Sequence, residues 1–371
     1  MRFVKWGMVV SALTILCQCN FSGGAPINLL STSRLIAVGN LKVARAGHTA
    51  TMLPNGKVLI TGGGSGGGFL ASAEIFDPGT NTFRQIANMT TRRAGHTATL
   101  LGNGTVLIIG GADGAGRTLA SAEIFDPATE SFTAAASMGT ARTDHSATLL
   151  PDGRVLVAGG SAVWPNSLAT AELYDPNTGK FTPTASMNEA RRPAGVVLLK
   201  NGEVLICGGT GQNRIVLASA ELYDPGKGVF TTIGNMTTRR HKHASSVLAD
   251  GSVLITGGSD ERDWENVYRS AEIFDAAKKE FRPLGDMNSA HFKHYSLALP
   301  DGRIVVIGGS NSVEIYDPAV RRFEVASGDL GKPYYFPSAT VLDGSRVLIS
   351  GGYDRNNTAT NGAWILQTST R

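Results

Sequence analysis

Cysteine is scarce in this chain: three in 371 residues, Cys17, Cys19 and Cys207. Two of them fall within the first 24 residues, so no disulfide framework holds the body together. Charged residues make up only 17% of the chain, and no run of like charge exceeds three residues. That excludes charged nucleic-acid-binding tails, and no nucleic-acid partner is expected. Beyond residue 24 no apolar run approaches the ~20 residues that span a bilayer. Glycine is abundant, 46 residues, but has no G-X-Y period, which excludes collagen. The 42% hydrophobic content can build a core and excludes wholesale disorder. What survives is a turn-rich β protein. The length would suit two or three domains, but closed all-β architectures reach this size as one unit.

Residues 1–24 read as a leader. Arg2 and Lys5 precede a ten-residue apolar stretch, Gly7 to Leu16, too short to cross a membrane. Cys19 (or Cys17) is a lipidation candidate, although Gln18 and Leu16 stand where a lipobox carries a small residue. The alternative is plain cleavage near Ser22-Gly23-Gly24. The expected location is therefore secreted or lipid-anchored in the cell envelope, with membrane contact only through an N-terminal lipid. Removing Arg2 and Lys5 from the net charge of +4 leaves about +2, which steers ligands weakly.

The body repeats. A Gly-Gly doublet follows an apolar run at Gly62, Gly110, Gly159, Gly208, Gly257, Gly308 and Gly351, at spacings of 43 to 51 residues. The seven units span approximately 41–88, 89–137, 138–186, 187–235, 236–286, 287–327 and 328–371 plus 33–40. Each reads as four short strands. An Asn-Gly or Asp-Gly pair joins the first two, the signature of a type I′ hairpin. Four short strands cannot bury both faces alone, but seven such sheets stacked radially can. The last unit is one strand short, and Arg34 to Gly39 supplies a spare strand at the other end of the chain. The expected fold is thus an all-β, seven-bladed propeller with four antiparallel strands per blade, closed by an N-terminal strand. A closed ring has no open sheet edge, so a monomer is expected.

The pattern R-x-x-H, apolar run, Gly-Gly, then a strand ending Tyr/Phe-Asp-Pro resembles the kelch repeat. The fourth-strand Trp usual in kelch repeats is here Phe83, Phe132, Phe181, Phe230, Phe281 and Phe323. The resemblance implies a propeller that binds ligands on the face carrying the inter-blade segments and the loops between strands two and three. It leaves function open, because kelch propellers serve as adaptors and as carbohydrate-active enzymes.

Two columns recur on that face. Histidine stands 14 residues before each doublet (His48, His96, His145, His243, His294), replaced by Ala194 and Pro337 in units four and seven. Three residues earlier runs arginine (Arg45, Arg93, Arg142, Arg191, Arg240), then His291 and Tyr334. A group needed by nearly every blade is structural, and a buried Arg needs a partner. The glutamate column Glu74, Glu123, Glu172, Glu221, Glu272 and Glu314 would supply it, and unit seven lacks both members.

Departures from the repeat mark the ligand-binding candidates: Arg239, His241, Lys242, Lys293, Tyr334, Tyr335, Arg92 and Arg192, with Trp164 and Trp264 in the variable loops. With Lys42 and Lys332 they make a basic mouth opposed mainly by Asp144 and Glu189, suited to an anionic ligand. No metal site is expected; His241, His243, His291 and His294 are the weak candidates, being the one cluster on adjacent blades. No catalytic residue and no cofactor are assigned. H-E-x-x-H and P-loop spacings are absent, and Cys207 sits in a strand, unlike the cross-linked Cys of kelch-like copper oxidases. The favoured reading is an extracytoplasmic binding module for a protein or glycan. The alternatives are a carbohydrate-active enzyme, such as a sugar epimerase or lyase, and a structural envelope protein.

Overall fold

The computed structural model describes residues 33–369. The leader, with Cys17 and Cys19, lies outside the described residues. Seven four-stranded antiparallel sheets form the blades of a propeller. Their first strands, Thr49–Met52, Thr97–Leu100, Ser146–Leu149, Gly195–Leu198, Ala244–Val247, Tyr295–Ala298 and Ser338–Val341, neighbour one another around the axis. Blades one to six run strand by strand outward. In blade seven the order is Ser338–Val341, Arg346–Ser350, Ala363–Gln367 and finally Arg34–Ala37, so the N-terminal strand closes the ring. Its register pairs Leu35 with Leu366 and Ile36 with Ile365. Leu35 also donates its N–H to Ser327 of blade six, so the closing strand ties two blades.

The second strands carry the core. Val58, Leu59 and Ile60 are all buried, and so are their counterparts in every blade. Alternation divides them: Leu59 joins a cluster shared with blade two, while Val58 and Ile60 join one shared with blade seven. Seven clusters therefore fill the spaces between blades, and no sheet is stable without its neighbours. In blades one to six the fourth-strand Phe stacks on an aromatic residue of its own third strand at 4.7 to 4.9 Å between ring centres. Blade seven fills that place with Leu35 opposite Leu366.

The hairpin turn differs from expectation. In Leu53-Pro54-Asn55-Gly56 only Gly56 has positive φ (+78°), and its N–H donates to Leu53 O at 2.9 Å. This is a type I turn followed by a left-handed glycine, not a type I′ turn. The turn begins one residue earlier than Asn-Gly suggests, and Pro54, like Pro151 and Pro300, stands at its i+1 position, where type I favours a φ near −65°.

Candidate functional site

The inter-blade segments are locked before they offer anything to a ligand. Each column arginine is fully buried and donates to its blade's third-strand glutamate at 2.7 to 3.0 Å: Arg45–Glu74, Arg93–Glu123, Arg142–Glu172, Arg191–Glu221 and Arg240–Glu272. The same guanidinium donates to the carbonyl of the first doublet glycine, as Arg45 does to Gly62 O at 2.8 Å. Each glutamate also accepts two backbone N–H groups from the incoming segment, for example those of Lys42 and Val43. In blade six His291 reaches Glu314 at 3.2 Å. In blade seven Tyr334 lies over Trp364, ring centres 5.4 Å apart, and Trp364 occupies the register position of the missing glutamate. The expected pairing holds in all six blades that have it.

The histidine column is a second, cross-blade clasp. His48 meets Ser338 of blade seven at 2.9 Å, His96 meets Thr61 of blade one at 3.2 Å, His145 meets Thr97 of blade two at 3.0 Å, and His294 meets Thr256 of blade five at 2.9 Å. His243 lies 3.8 Å from Cys207 Sγ in blade four. Burial, with the nearby arginines or neighbouring histidines, holds all five imidazoles far below the usual value; His96 and His145 come down to about 3. These rings are neutral at pH 7. The Gly62-Gly63 doublet makes the close approach possible: a Cβ at Gly62 would stand 2.5 Å from Arg93 O and 2.7 Å from the His96 ring.

Inside these clasps a funnel of about 720 Å³ opens on the axis. Thr49, Thr97, Ser245, Tyr295 and Ser296 are among the residues that line it. Arg192, Lys242, Lys293, Asp144 and Phe336 stand nearer the inter-blade segments. The residue just before the histidine column forms its rim. There the backbone turns left-handed so that its N–H reaches the preceding blade: Asp144 to Gly95 O, Lys293 to Lys242 O, Phe336 to Lys293 O and Gly47 to Phe336 O, at 2.8 to 3.1 Å. Gly47 and Gly95 adopt this shape freely. Asp144, Lys242, Lys293 and Phe336 adopt it with φ of +48° to +53°, at a cost of roughly 1–2 kcal/mol each. Asp144 lies 3.9 Å from Arg192, and over half its side chain faces the cavity. Its setting in the funnel wall pushes the carboxyl above the usual carboxylate range, against the pull of Arg192 and Lys242.

The remaining candidates are dispersed. Lys293 is 6% exposed, its ammonium 4.1 Å from the Trp264 ring centre and within 6 Å of Phe292, Tyr335, Phe336 and Tyr353. Trp264 is half-exposed, edge-on to Phe292 and Tyr335. Tyr335 is buried beneath it and Tyr334 lies in the core, so neither presents a ring to a ligand, contrary to expectation. Cross-blade packing, invisible in the repeat spacing, takes both. Arg239 meets Glu261 at 3.3 Å and Lys332 meets Asp354 at 2.7 Å. The outer mouth is therefore less basic than the columns suggest, because those acids come from the variable loops. Arg92 and Lys42 are exposed and outside the funnel wall.

The four metal candidates do not converge. His241 pairs with Thr210 at 2.9 Å, His243 with Cys207, His291 with Glu314 and Gly308 O, and His294 with Thr256. Among the described residues no three His, Cys, Asp or Glu side chains are placed to share a metal. Cys207 is buried against His243 and Ser245, and burial pushes its thiol up to about 12. No tyrosine is among its hydrogen-bonding partners, so it does not fit a cross-linked copper centre. Gly63-Gly64-Ser65-Gly66-Gly67 has the spacing of a hydrolase nucleophile elbow. It lies in a two-stranded hairpin, Gly64–Ser65 with Gly68–Phe69, and no helix follows it.

The Kelch motif matches residues 44–90, 92–139 and 142–188, the first three blades, and the four remaining blades repeat their strand order and Gly-Gly seam. The chain is a kelch-repeat β-propeller. No curated protein matches this kelch propeller in sequence. Among solved structures it is similar to a fungal alcohol oxidase of the AA5 family, determined in complex with copper, at 18% identity and a TM-score of 0.70. The alignment covers 92% of this chain and 77% of the oxidase. The likeness is one of fold. A kelch propeller of this kind is suited to serve as a binding or scaffold module.

Proposed function

We propose that this kelch propeller is an extracytoplasmic binding module that draws the anionic end of a protein or glycan ligand into its axial funnel. One observation carries the reading. At the rim, where glycine serves the backbone at no conformational cost in blades one and two, blades three, five, six and seven carry strained Asp144, Lys242, Lys293 and Phe336. Strain retained where the fold could avoid it points to use of the side chains. Arg192 and Lys242 supply the attraction for the anion, and Phe336 supplies an apolar wall. The enzyme reading rests on two titratable side chains, Asp144 and Tyr295, that both line the funnel, as an acid/base pair would require.

Calorimetric titration of the full chain with galacturonate and with an acidic peptide tests the proposal. At least one should bind. Lys242→Glu is expected to weaken it at least tenfold with stability within about 0.5 kcal/mol of the parent. Lys57→Glu and Lys278→Glu, on the opposite face, should leave it unchanged. Binding that survives Lys242→Glu, or fails for both anions, overturns the funnel. Turnover of an acidic sugar abolished by Asp144→Asn would favour the enzyme.

A further inference from the structure

Beside the funnel lies a second feature, built by the variable loops of blades three and four. Gln212 donates its side-chain amide to Ser167 O at 2.7 Å, and the Ser167 hydroxyl, buried, donates to Thr210 O at 2.8 Å. The two loops are thereby fastened. Asn213 and Arg214 are both left-handed, φ +53° and +65°. This consecutive strain leaves Arg214 with its guanidinium 5.7 Å from the Trp164 ring centre, while Arg192 covers the same ring at 4.1 Å. Trp164 remains 58% exposed, and Val163 and Ile215 in the same two loops are exposed too. Arg192 belongs both to this cluster and to the funnel wall, so the two are continuous.

We propose that Trp164, Arg192 and Arg214 form a rim subsite for an acidic polysaccharide whose chain end occupies the funnel. The inference rests on the funnel reading and names its ligand class. The part of the indole that Arg192 leaves exposed takes the apolar face of a pyranose ring, and the two guanidinium groups over the ring take carboxylate or sulfate. A funnel of this volume lies in the range of small-molecule sites, which suits sugar residues entering end-on. A folded protein partner would be met instead by a broad flat patch. The fastened loops hold Arg214 and Trp164 in place before binding, so little ordering is lost.

The test is titration of the full chain with galacturonate and with oligogalacturonides of two to six sugars, followed by tryptophan fluorescence. Neutral cello-oligosaccharides and a sulfated oligosaccharide serve as comparison arms. Affinity should rise about tenfold between the monosaccharide and the tetramer, with a change in fluorescence, and neutral chains should not bind. Trp164→Ala should remove the gain with chain length while monosaccharide affinity stays within twofold. Arg214→Ala should remove part of it. A preference for the sulfated arm would assign sulfate as the anion and leave the subsite standing. A chain-length gain that survives Trp164→Ala, or equal binding of neutral chains, overturns the subsite. Galacturonate binding that depends on Lys242 but shows no length effect overturns the subsite and leaves the funnel. Capture of an acidic peptide alone, still sensitive to Lys242→Glu, assigns a protein ligand and also overturns the subsite. Binding of no anion overturns both.

Discussion

Blades one to five brace their incoming segment with a buried Arg–Glu pair; blade seven braces its own with Tyr334 on Trp364. The Arg–Glu pairs and Tyr334 are buried, Trp364 is half-buried, and both braces occupy the same two positions of the repeat. The ion pair is therefore one solution to a packing problem, not a requirement of the fold. What it adds is satisfaction of backbone groups. Glu172 accepts the N–H groups of Gly139 and Thr140, whereas in blade seven the Asp329 carboxylate accepts the N–H of Gly331. Removing a buried ion pair whole is often neutral, but removing half of it strands a charge.

The largest effect is expected where blade seven depends on chain closure. Deleting residues 33–39 removes the outer strand of that blade, bares the edge of Ala363–Gln367 and frees the Ser327 contact. A loss of several kcal/mol from a total of ~5–15 should follow, together with oligomerisation through the open edge. Thermal melts and light scattering check this; a truncated chain that melts with the parent and stays monomeric would show that closure is dispensable.

Next comes the brace itself. Glu172→Ala leaves Arg142, fully buried, without its carboxylate and should cost about 3–5 kcal/mol in denaturant unfolding. Importing the blade-seven pair, Arg142→Tyr with Glu172→Trp, should cost less than the two single changes summed. It should not recover everything, because Gly139 and Thr140 lose their acceptor. Strict additivity would remove the case for equivalence between the two braces.

Smaller per residue is the acid response of the histidine clasps. His96 and His145 titrate near 3 when folded and near 6.5 when unfolded. Below 6.5 the unfolded chain gains protons that the folded chain refuses, so stability falls from about pH 6.5 down to about 3. The slope is up to ~1.4 kcal/mol per pH unit for each histidine. The clasps span five of the seven blade interfaces. Blades four and seven, with Ala194 and Pro337 in the column, make none to the blade before them. Hydrogen exchange at pH 5 should therefore rise first at the clasped interfaces and last between blades three and four and between six and seven. Uniform exchange around the ring would contradict this.

The repeat, the closing strand and the Arg–Glu pairing were legible in the sequence because the repeat recurs seven times, the Arg and Glu columns keep its spacing in five units, and the last unit is one strand short. A period of 43 to 51 residues leaves a ring as the way to bury every second strand, and a last unit one strand short calls for Arg34–Ala37. The turn type was not legible: Asn-Gly and Asp-Gly are the type I′ signal, but in Leu53-Pro54-Asn55-Gly56 the turn starts one residue earlier and only the glycine is left-handed. The funnel and rim were decided elsewhere. Nothing in the spacing of Arg192 and Trp164, or of Lys293 and Trp264, places them together; they meet because adjacent blades bring loops far apart in sequence to one mouth. The same packing buries Tyr334 and Tyr335, while within blade five the variable loop brings Glu261 to Arg239. Local sequence determined what each blade needs for itself. Which side chains are left facing a ligand depends on how the blades turn against one another, and that is settled by contacts between residues the repeat does not pair.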